Sequence, residues 1–243
     1  MRDYLDDIIH HTCNLGNIDL IKIVGDDKET LIKAISEDRF VIMNAKLKQP
    51  NSEFVGVFGM PNLPKLKTIL GFEEYDETST IVMTYQQQDN EKIPASIHFE
   101  TANKDFVNDY RLMGKTLVED KVRDVKFHGA TWVVQFEPKV ASVVRLKKQY
   151  QANSEETLFT VKTDNGNLKF YFGNLSTHSG NFIFESGISG TLQHNWQWPI
   201  RSFLSIMDLQ GDKKVYISDA GAMRITVDSG LTDYEYLLPA QTK

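Results

Sequence analysis

Two kinds of apolar spacing alternate along the chain, and the same order of elements occurs twice. Helical spacing is found at residues 2–14 and 61–70 in the first half, and at 139–150 and 199–208 in the second. Period-two spacing bounded by turn residues predicts strands between and after these helices. The strands are predicted near 18–24, 29–36, 38–47, 54–58, 79–86, 93–100 and 105–112 in the first half, and near 131–136, 158–163, 168–172, 180–186, 188–194, 213–218, 222–227 and 233–238 in the second.

The second helix of each half opens at a proline, Pro61 or Pro199, and the first helices start near residues 2 and 139. The nearly equal offsets predict an internal repeat. The expected fold is α+β, with two repeated domains of antiparallel strands and two short helices on one face of each. We place the domains at 1–112 and 125–243, joined by a charged linker at 113–124. A single α+β domain without internal symmetry is the alternative.

Composition narrows the class of protein. Of 243 residues, 41% are hydrophobic and 25% are charged, which is typical of a globular protein. No apolar run approaches the roughly 20 residues of a membrane-spanning helix, and the acidic start lacks the layout of a signal peptide. The single cysteine, Cys13, excludes an internal disulfide and a multi-cysteine zinc site. We therefore expect a cytoplasmic protein with no metal and no cofactor; a secreted protein without disulfides is the alternative.

Charge is unevenly distributed. A net charge of −6 argues against nucleic acid, because tight binders usually carry a basic surface. The helix predicted at 139–150, however, holds four bases and no acid, and the helix at 61–70 holds two lysines and no acid. At 2–14, three acids accompany Arg2. The pattern predicts a cationic surface built from helices on an anionic protein; helices that are lysine-rich only for solubility are the alternative.

The layout resembles the DNA sliding clamp family, most closely the clamps of T-even-like bacteriophages and the proliferating-cell clamps. A short helix followed by strand, turn and strand occurs twice. The helix with Pro199, Phe203 and Leu204 ends at Gly211, and three strands then lead to Tyr234–Ala240, as in the last part of family chains. The resemblance implies a closed homotrimer that encircles double-stranded DNA independently of sequence and tethers a DNA polymerase, with a clamp loader as a further partner.

The same resemblance assigns surfaces to this chain. Its helices are expected to line the central hole, and its edge strands near 105–112 and 180–186 are expected to join subunits head to tail. The expected pore residues are Lys65, Lys67, Lys139, Arg145, Lys147, Lys148 and Arg201. The expected interface residues are Phe106, Tyr110, Leu112, Phe182 and Phe184. A partner peptide is expected in an apolar pocket formed by Val41, Met43, Leu117, Val118, Leu237, Leu238 and Pro239.

Catalytic chemistry has little support in the sequence. His10 and Cys13 are neighbours on a helix, but no orienting third group is recognisable. His98 and Glu100 share one strand face, and the histidines show no metal-binding spacing. The chain is therefore expected not to be an enzyme. An oligomeric structural β-protein of a phage tail or baseplate is the main alternative function, although it gives no reason for acid-free basic helices.

Overall fold

A computed structural model describes residues 1–88, 91–125, 129–174, 176 and 178–241. The chain divides into two compact units. Unit 1 comprises Met1–Val125 and Asp228–Tyr234, and unit 2 comprises Lys126–Val227 and Glu235–Lys243. The segment predicted as a linker belongs to unit 1, and the last strand of the chain begins in unit 1 and ends in unit 2.

The helices and strands follow the predicted order closely. The helices are α1 Arg2–His11, α2 Leu63–Leu70, α3 Lys115–Lys121, α4 Val140–Ala152 and α5 Ile200–Met207. The strands that precede α3 are β1 Leu20–Gly25, β2 Thr30–Ile35, β3 Ile42–Leu47, β4 Gly56–Pro61, β5 Thr80–Gln88, β6 Glu91–Glu100 and β7 Val107–Arg111. Those that follow are β8 Trp132–Phe136, β9 Leu158–Asp164, β10 Asn167–Phe172, β11 Gly180–Ser186, β12 Gln197–Pro199, β13 Asp212–Ser218, β14 Ala222–Asp228 and β15 Thr232–Pro239.

Strand order confirms the internal repeat. Unit 1 contains antiparallel strands in the order β4-β1-β2-β3, and unit 2 contains the equivalent order β12-β9-β10-β11. A three-stranded meander follows the second helix in both halves of the chain, as β5-β6-β7 and as β13-β14-β15. The tight turn between β9 and β10 is made by Asn165 and Gly166, which both have positive φ, as an Asn-Gly hairpin turn requires.

The helices bury their apolar sides to different extents. In α2, all four apolar residues are buried, and α5 buries six of its eight residues. The core of unit 2 is aromatic, and Phe170 stacks on Phe184 with ring centroids 4.3 Å apart. By contrast, α4 buries only Ser142 and Leu146. Val140 and Val144 are apolar but exposed, so α4 presents apolar as well as basic side chains to solvent.

Three local predictions need correction. Pro61 ends β4, and α2 begins two residues later with Pro64 in its first turn, because proline lacks the N–H that a helix interior needs. Residues 188–194 form no strand; the short strand instead lies at Gln197–Pro199. The segment 113–124 contains a helix, α3, whose only buried residue is Val118. With one buried residue in two turns, the sequence of this helix has no repeating apolar spacing from which a helix could be predicted.

Candidate nucleic-acid interface

Exposed lysines lie on α2 in unit 1. Leu63, Leu66, Ile69 and Leu70 point into the core, so Lys65 and Lys67 are left on the solvent side. The side chain of Asn62 accepts the N–H of Lys65 at 3.2 Å and caps the helix start. Lys67 Nζ donates to Asn14 at 2.7 Å, a neutral partner that leaves its full charge available. Lys65 has no side-chain partner among the residues that the structure describes.

Arg2 has a structural role instead. Its guanidinium donates to the backbone oxygens of Tyr75 and, at 2.9 Å, of Leu70 at the end of α2. The last carbonyls of a helix lack partners within the helix, and a cation is favourable there. Arg2 is therefore occupied in joining α1 to the end of α2, which agrees with leaving it out of the expected pore residues.

One of the three acids of α1, Asp7, has a buried side chain. Asp7 accepts hydrogen bonds from Thr232 at 2.7 Å and Tyr234 at 2.9 Å, both in the segment of β15 that belongs to unit 1. His11 lies 3.2 Å from its carboxylate and stacks on the Tyr234 ring. Burial acts to raise the pKa of Asp7, but these hydrogen bonds outweigh burial and hold the pKa below its usual value. Of the three acids, Asp3 is exposed, and Asp6 and Asp7 are partly buried.

In unit 2, α4 is the most basic exposed helix. Arg145, Lys147 and Lys148 are all exposed, and the helix contains no acid. The Arg145 guanidinium donates to the Ile183 carbonyl at 3.3 Å and lies 5.2 Å from the Phe182 ring centroid, so it keeps its charge. On α5, Arg201 donates to the Tyr150 hydroxyl at 3.0 Å. Lys148 makes no hydrogen bond or ion pair with any described residue.

Two of the expected pore residues are already ion-paired. Lys147 lies 2.5 Å from Asp208, and both side chains are about half exposed, so phosphate could replace this carboxylate at little cost. Lys139 pairs with Glu185, whose side chain is only 8% exposed and whose Oε2 has no partner among the described residues. Moving Lys139 to a phosphate would leave a buried charge unpaired, which is costly. Lys139 is therefore the weakest of the seven candidates.

The residues expected to form the peptide pocket differ in their exposure to solvent. Val41, Met43 and Val118 are buried in unit 1, and Leu237 and Leu238 are buried in unit 2. Val118 packs against β4, where a Cβ on Gly59 would lie 2.8 Å from it; only glycine permits this approach. Leu117 and Pro239 are exposed. Side chains alternate along a strand, so the outward residue of β3 is Ile42, which lies between the two that were predicted.

Ile42 lies in a groove of unit 1, which we name the β3–linker groove. Its volume is about 610 Å³, and its walls include Ile35, Ile42, Asp120, Lys121, Arg123 and Val125. The end of the linker is fixed beside it, because Asp124 accepts hydrogen bonds at 2.9 Å from both Lys33 and Lys22. The hydrogen bond from Lys33 has the larger effect, and together the two bonds hold the pKa of Asp124 below its usual range.

The expected interface strands, β7 and β11, lie at sheet edges, each paired on one side only among the described strands. Tyr110, Phe182 and Phe184 are buried in their own units, and Phe106 and Leu112 are half-buried. The residues that alternate with them face outward, and Val107 and Ile183 are the exposed apolar ones. These edges therefore offer backbone groups and Val107 and Ile183 to a neighbour, rather than the aromatic rings.

The sites considered for chemistry are not activated. Burial raises the pKa of the Cys13 thiol, which keeps it protonated at neutral pH. His10 Nδ1 lies 2.7 Å from the backbone oxygen of Asp6, and His98 Nδ1 lies 3.0 Å from Asp109. Within the described ranges, no three His, Cys, Asp or Glu side chains are grouped as metal ligands. Nor does any described helix have the length and apolar character to cross a membrane.

Comparison with known proteins identifies the fold. No family model and no curated protein sequence matches the chain. Solved structures match over its whole length. PCNA of A. fulgidus, in a structure with the C-terminal region of FEN-1 bound, has a TM-score of 0.68 and 8% identity, with 100% of this chain and 97% of that chain covered. Proliferating cellular nuclear antigen from Entamoeba histolytica has a TM-score of 0.68 and 11% identity, with 98% and 96% covered.

Both matches span the two units and the repeat within the chain. The predicted α+β class, with mostly antiparallel strands and few helices, is confirmed, and so is the predicted likeness to the proliferating-cell clamps at the level of the fold. The chain has the DNA-clamp fold of these PCNA structures.

Proposed function

We propose that this chain is a sliding clamp, a non-enzymatic protein that closes into a ring around duplex DNA and tethers the replicative DNA polymerase. The observation that carries the proposal is a clamp fold whose helices α2 and α4 expose bases and contain no acid. A tail or baseplate protein gives no reason for this placement of charge, and the PCNA-like fold does not favour that alternative.

DNA contact is assigned to five exposed bases whose charge is not cancelled by an acid. Lysine and arginine bind phosphates without fixing a sequence register, so weak and interchangeable contacts permit sliding. Lys147 joins the set by exchanging Asp208 for a phosphate, and Lys139 contributes least. The five are Lys65, Lys67, Arg145, Lys148 and Arg201.

Ring closure is assigned to the two open edges. In unit 1, β3 lies beside the start of β15; the repeat equates β3 with β11 and β15 with β7. Strands β3 and β15 are neighbours within the chain, whereas their equivalents β11 and β7 lie at open sheet edges. This supports pairing of β7 in one subunit with β11 in the next. A head-to-tail contact of this kind closes into a ring when its rotation permits. The resemblance to sliding clamps implies that the ring contains three subunits.

The trimer gives a direct prediction for Val107, which is 46% exposed on β7. The protein is expected to sediment with a mass near three times 27.8 kDa. Val107→Asp places an unpaired charge in the contact between subunits, so the variant is expected to sediment as a monomer at concentrations where the native protein is a trimer. Val55→Asp, at an equally exposed valine outside the strands, is the matched control and is expected to remain trimeric.

A native protein that stays monomeric at high concentration, or a Val107→Asp variant that remains trimeric, would contradict the edge-to-edge ring. A monomeric Val55→Asp variant would show that added charge alone disrupts assembly, and the edge would then lose its assignment.

We further assign docking of a polymerase or clamp-loader peptide to the β3–linker groove, which replaces the pocket inferred from the resemblance. The groove offers Ile35, Ile42 and Val125 as apolar contacts. FEN-1 in the A. fulgidus structure is a partner of that PCNA through its C-terminal region. For this chain, we propose that a partner likewise binds through a short peptide, which inserts apolar side chains into the groove beside the linker. The closer likeness to phage clamps remains a prediction.

A further inference from the structure

A second groove in unit 1 lies at the beginning of α3, and we name it the β6–α3 groove. Its volume is about 510 Å³, within the range that holds a small ligand or one or two peptide side chains. Ile93, Pro94 and Leu112 contribute apolar surface to it. Leu117 adds a side chain that is 63% exposed although leucine is usually buried.

The charge of this groove is not balanced. Arg111 and Lys115 both line it, and no acid does so among the described side chains. Neither cation makes a hydrogen bond or ion pair with a described residue. The β3–linker groove differs, because its basic residues are accompanied by acids and Arg123 pairs with Asp120 at 3.1 Å. An unpaired cationic rim on a protein of net charge −6 is therefore a specific feature of the β6–α3 groove.

Both features are needed to identify the occupant. A phosphate backbone would use Arg111 and Lys115 but would leave Leu112 and Leu117 exposed to water. A purely apolar segment would bury the leucines but leave both cations without partners. A peptide with a bulky apolar residue flanked by Asp or Glu satisfies both features, because charges steer and orient it while the apolar side chain supplies contact area.

We propose that the β6–α3 groove is a docking site for an acidic, apolar peptide segment of a partner protein, separate from the β3–linker groove. Every contributing residue belongs to unit 1, so binding does not require DNA. Arg111 and Leu112 also lie at the end of β7, the edge assigned to ring closure, so peptide affinity is measured on the native protein and on the Val107→Asp variant. A partner that carries two suitable segments could occupy both grooves, and linked binding would raise its overall affinity without further contacts.

Fluorescence anisotropy of a labelled synthetic peptide tests this proposal on the intact protein. The probe has a Leu-Phe pair flanked on each side by Asp and Glu; one reference peptide carries Lys flanks and another replaces Leu-Phe with Ser-Ser. Only the first is expected to bind. We expect Lys115→Glu to weaken binding about tenfold and Leu117→Ser several-fold, and we expect added salt to weaken it further.

Matched variants in the other groove are the controls. Lys121→Glu changes the same charge on the same helix, and Val125→Ser removes an exposed apolar residue; both are expected to leave peptide affinity unchanged. If these variants weaken binding and Lys115→Glu does not, the peptide lies in the β3–linker groove and the proposal is overturned. It is also overturned if all three peptides bind alike, if none binds, or if Lys115→Glu weakens binding of duplex DNA rather than of the peptide. Sedimentation of each variant separates these outcomes from failure of the ring.

Discussion

Replacing Lys65, Lys148 and Arg201 together with glutamate is expected to reduce the affinity for duplex DNA by at least about a hundredfold at low salt. These three bases lie on three different helices, are exposed, and have no acid as a partner among the described residues. Each removed phosphate contact should also lower the slope of log affinity against log salt by about one. Binding isotherms at several salt concentrations measure both quantities.

The matched control changes the same amount of charge elsewhere. Lys28, Lys92 and Lys104 are exposed lysines in strands and loops. Their joint replacement with glutamate produces the same net charge, and we expect a much smaller loss of affinity and an unchanged salt slope. Equal losses in the two triple variants would mean that DNA responds to total charge and that the helices form no binding surface.

Asp7→Ala is expected to lower the free energy of unfolding by about 3 kcal/mol. The carboxylate is buried and accepts hydrogen bonds from Thr232 and Tyr234, so its removal takes these two hydrogen bonds and the contact with His11 out of the core of unit 1. Urea unfolding followed by circular dichroism measures the loss. Asp3→Ala, at the exposed acid of the same helix, is the control and should cost less than about 0.5 kcal/mol. Similar values for the two variants would contradict a structural role for Asp7.

Asp7 also makes the free energy of unfolding depend on pH. Its pKa is lower in the folded protein than in the unfolded chain, so its contribution is present at neutral pH and is lost as pH falls through the folded pKa. We expect the native protein to lose stability below about pH 4, where an unfolded aspartate begins to take up its proton. Asp7→Asn cannot titrate and should lose less stability over that range. Parallel stability–pH curves for the two proteins would contradict this assignment.

Apolar spacing was sufficient to predict most helices and strands. Because the same order of elements occurs in both halves, each half supported the prediction of the other. The helices α2 and α5 have complete apolar stripes, and the structure buries those stripes as predicted. The helix α3 could not be predicted, since Val118 is its only buried residue. The contact of Val118 requires the absence of a side chain at Gly59, which is remote in sequence.

The candidate surfaces were predictable in type but less so in detail. Counting bases on helices identified side chains that are in fact exposed, since charged groups rarely enter a core. Ion pairing could not be read from the sequence, because Glu185 and Asp208 reach Lys139 and Lys147 only through the tertiary fold. At the start of β3, the choice between Val41 and Ile42 as a surface residue depends on which face meets the core, and an error of one residue exchanges the two faces.

The central claim, that the protein holds DNA by encircling it, is tested most directly by the shape of the DNA. The subunits are diluted with singly nicked circular duplex and then concentrated so that rings assemble on the DNA. Gel filtration at about 0.3 M salt removes protein held by charge alone. A restriction enzyme then linearises the DNA, with or without bulky blocks near both new ends. We predict retention on the circle, release from the open linear DNA and retention where the ends are blocked. Equal retention on circular and open linear DNA would contradict encirclement.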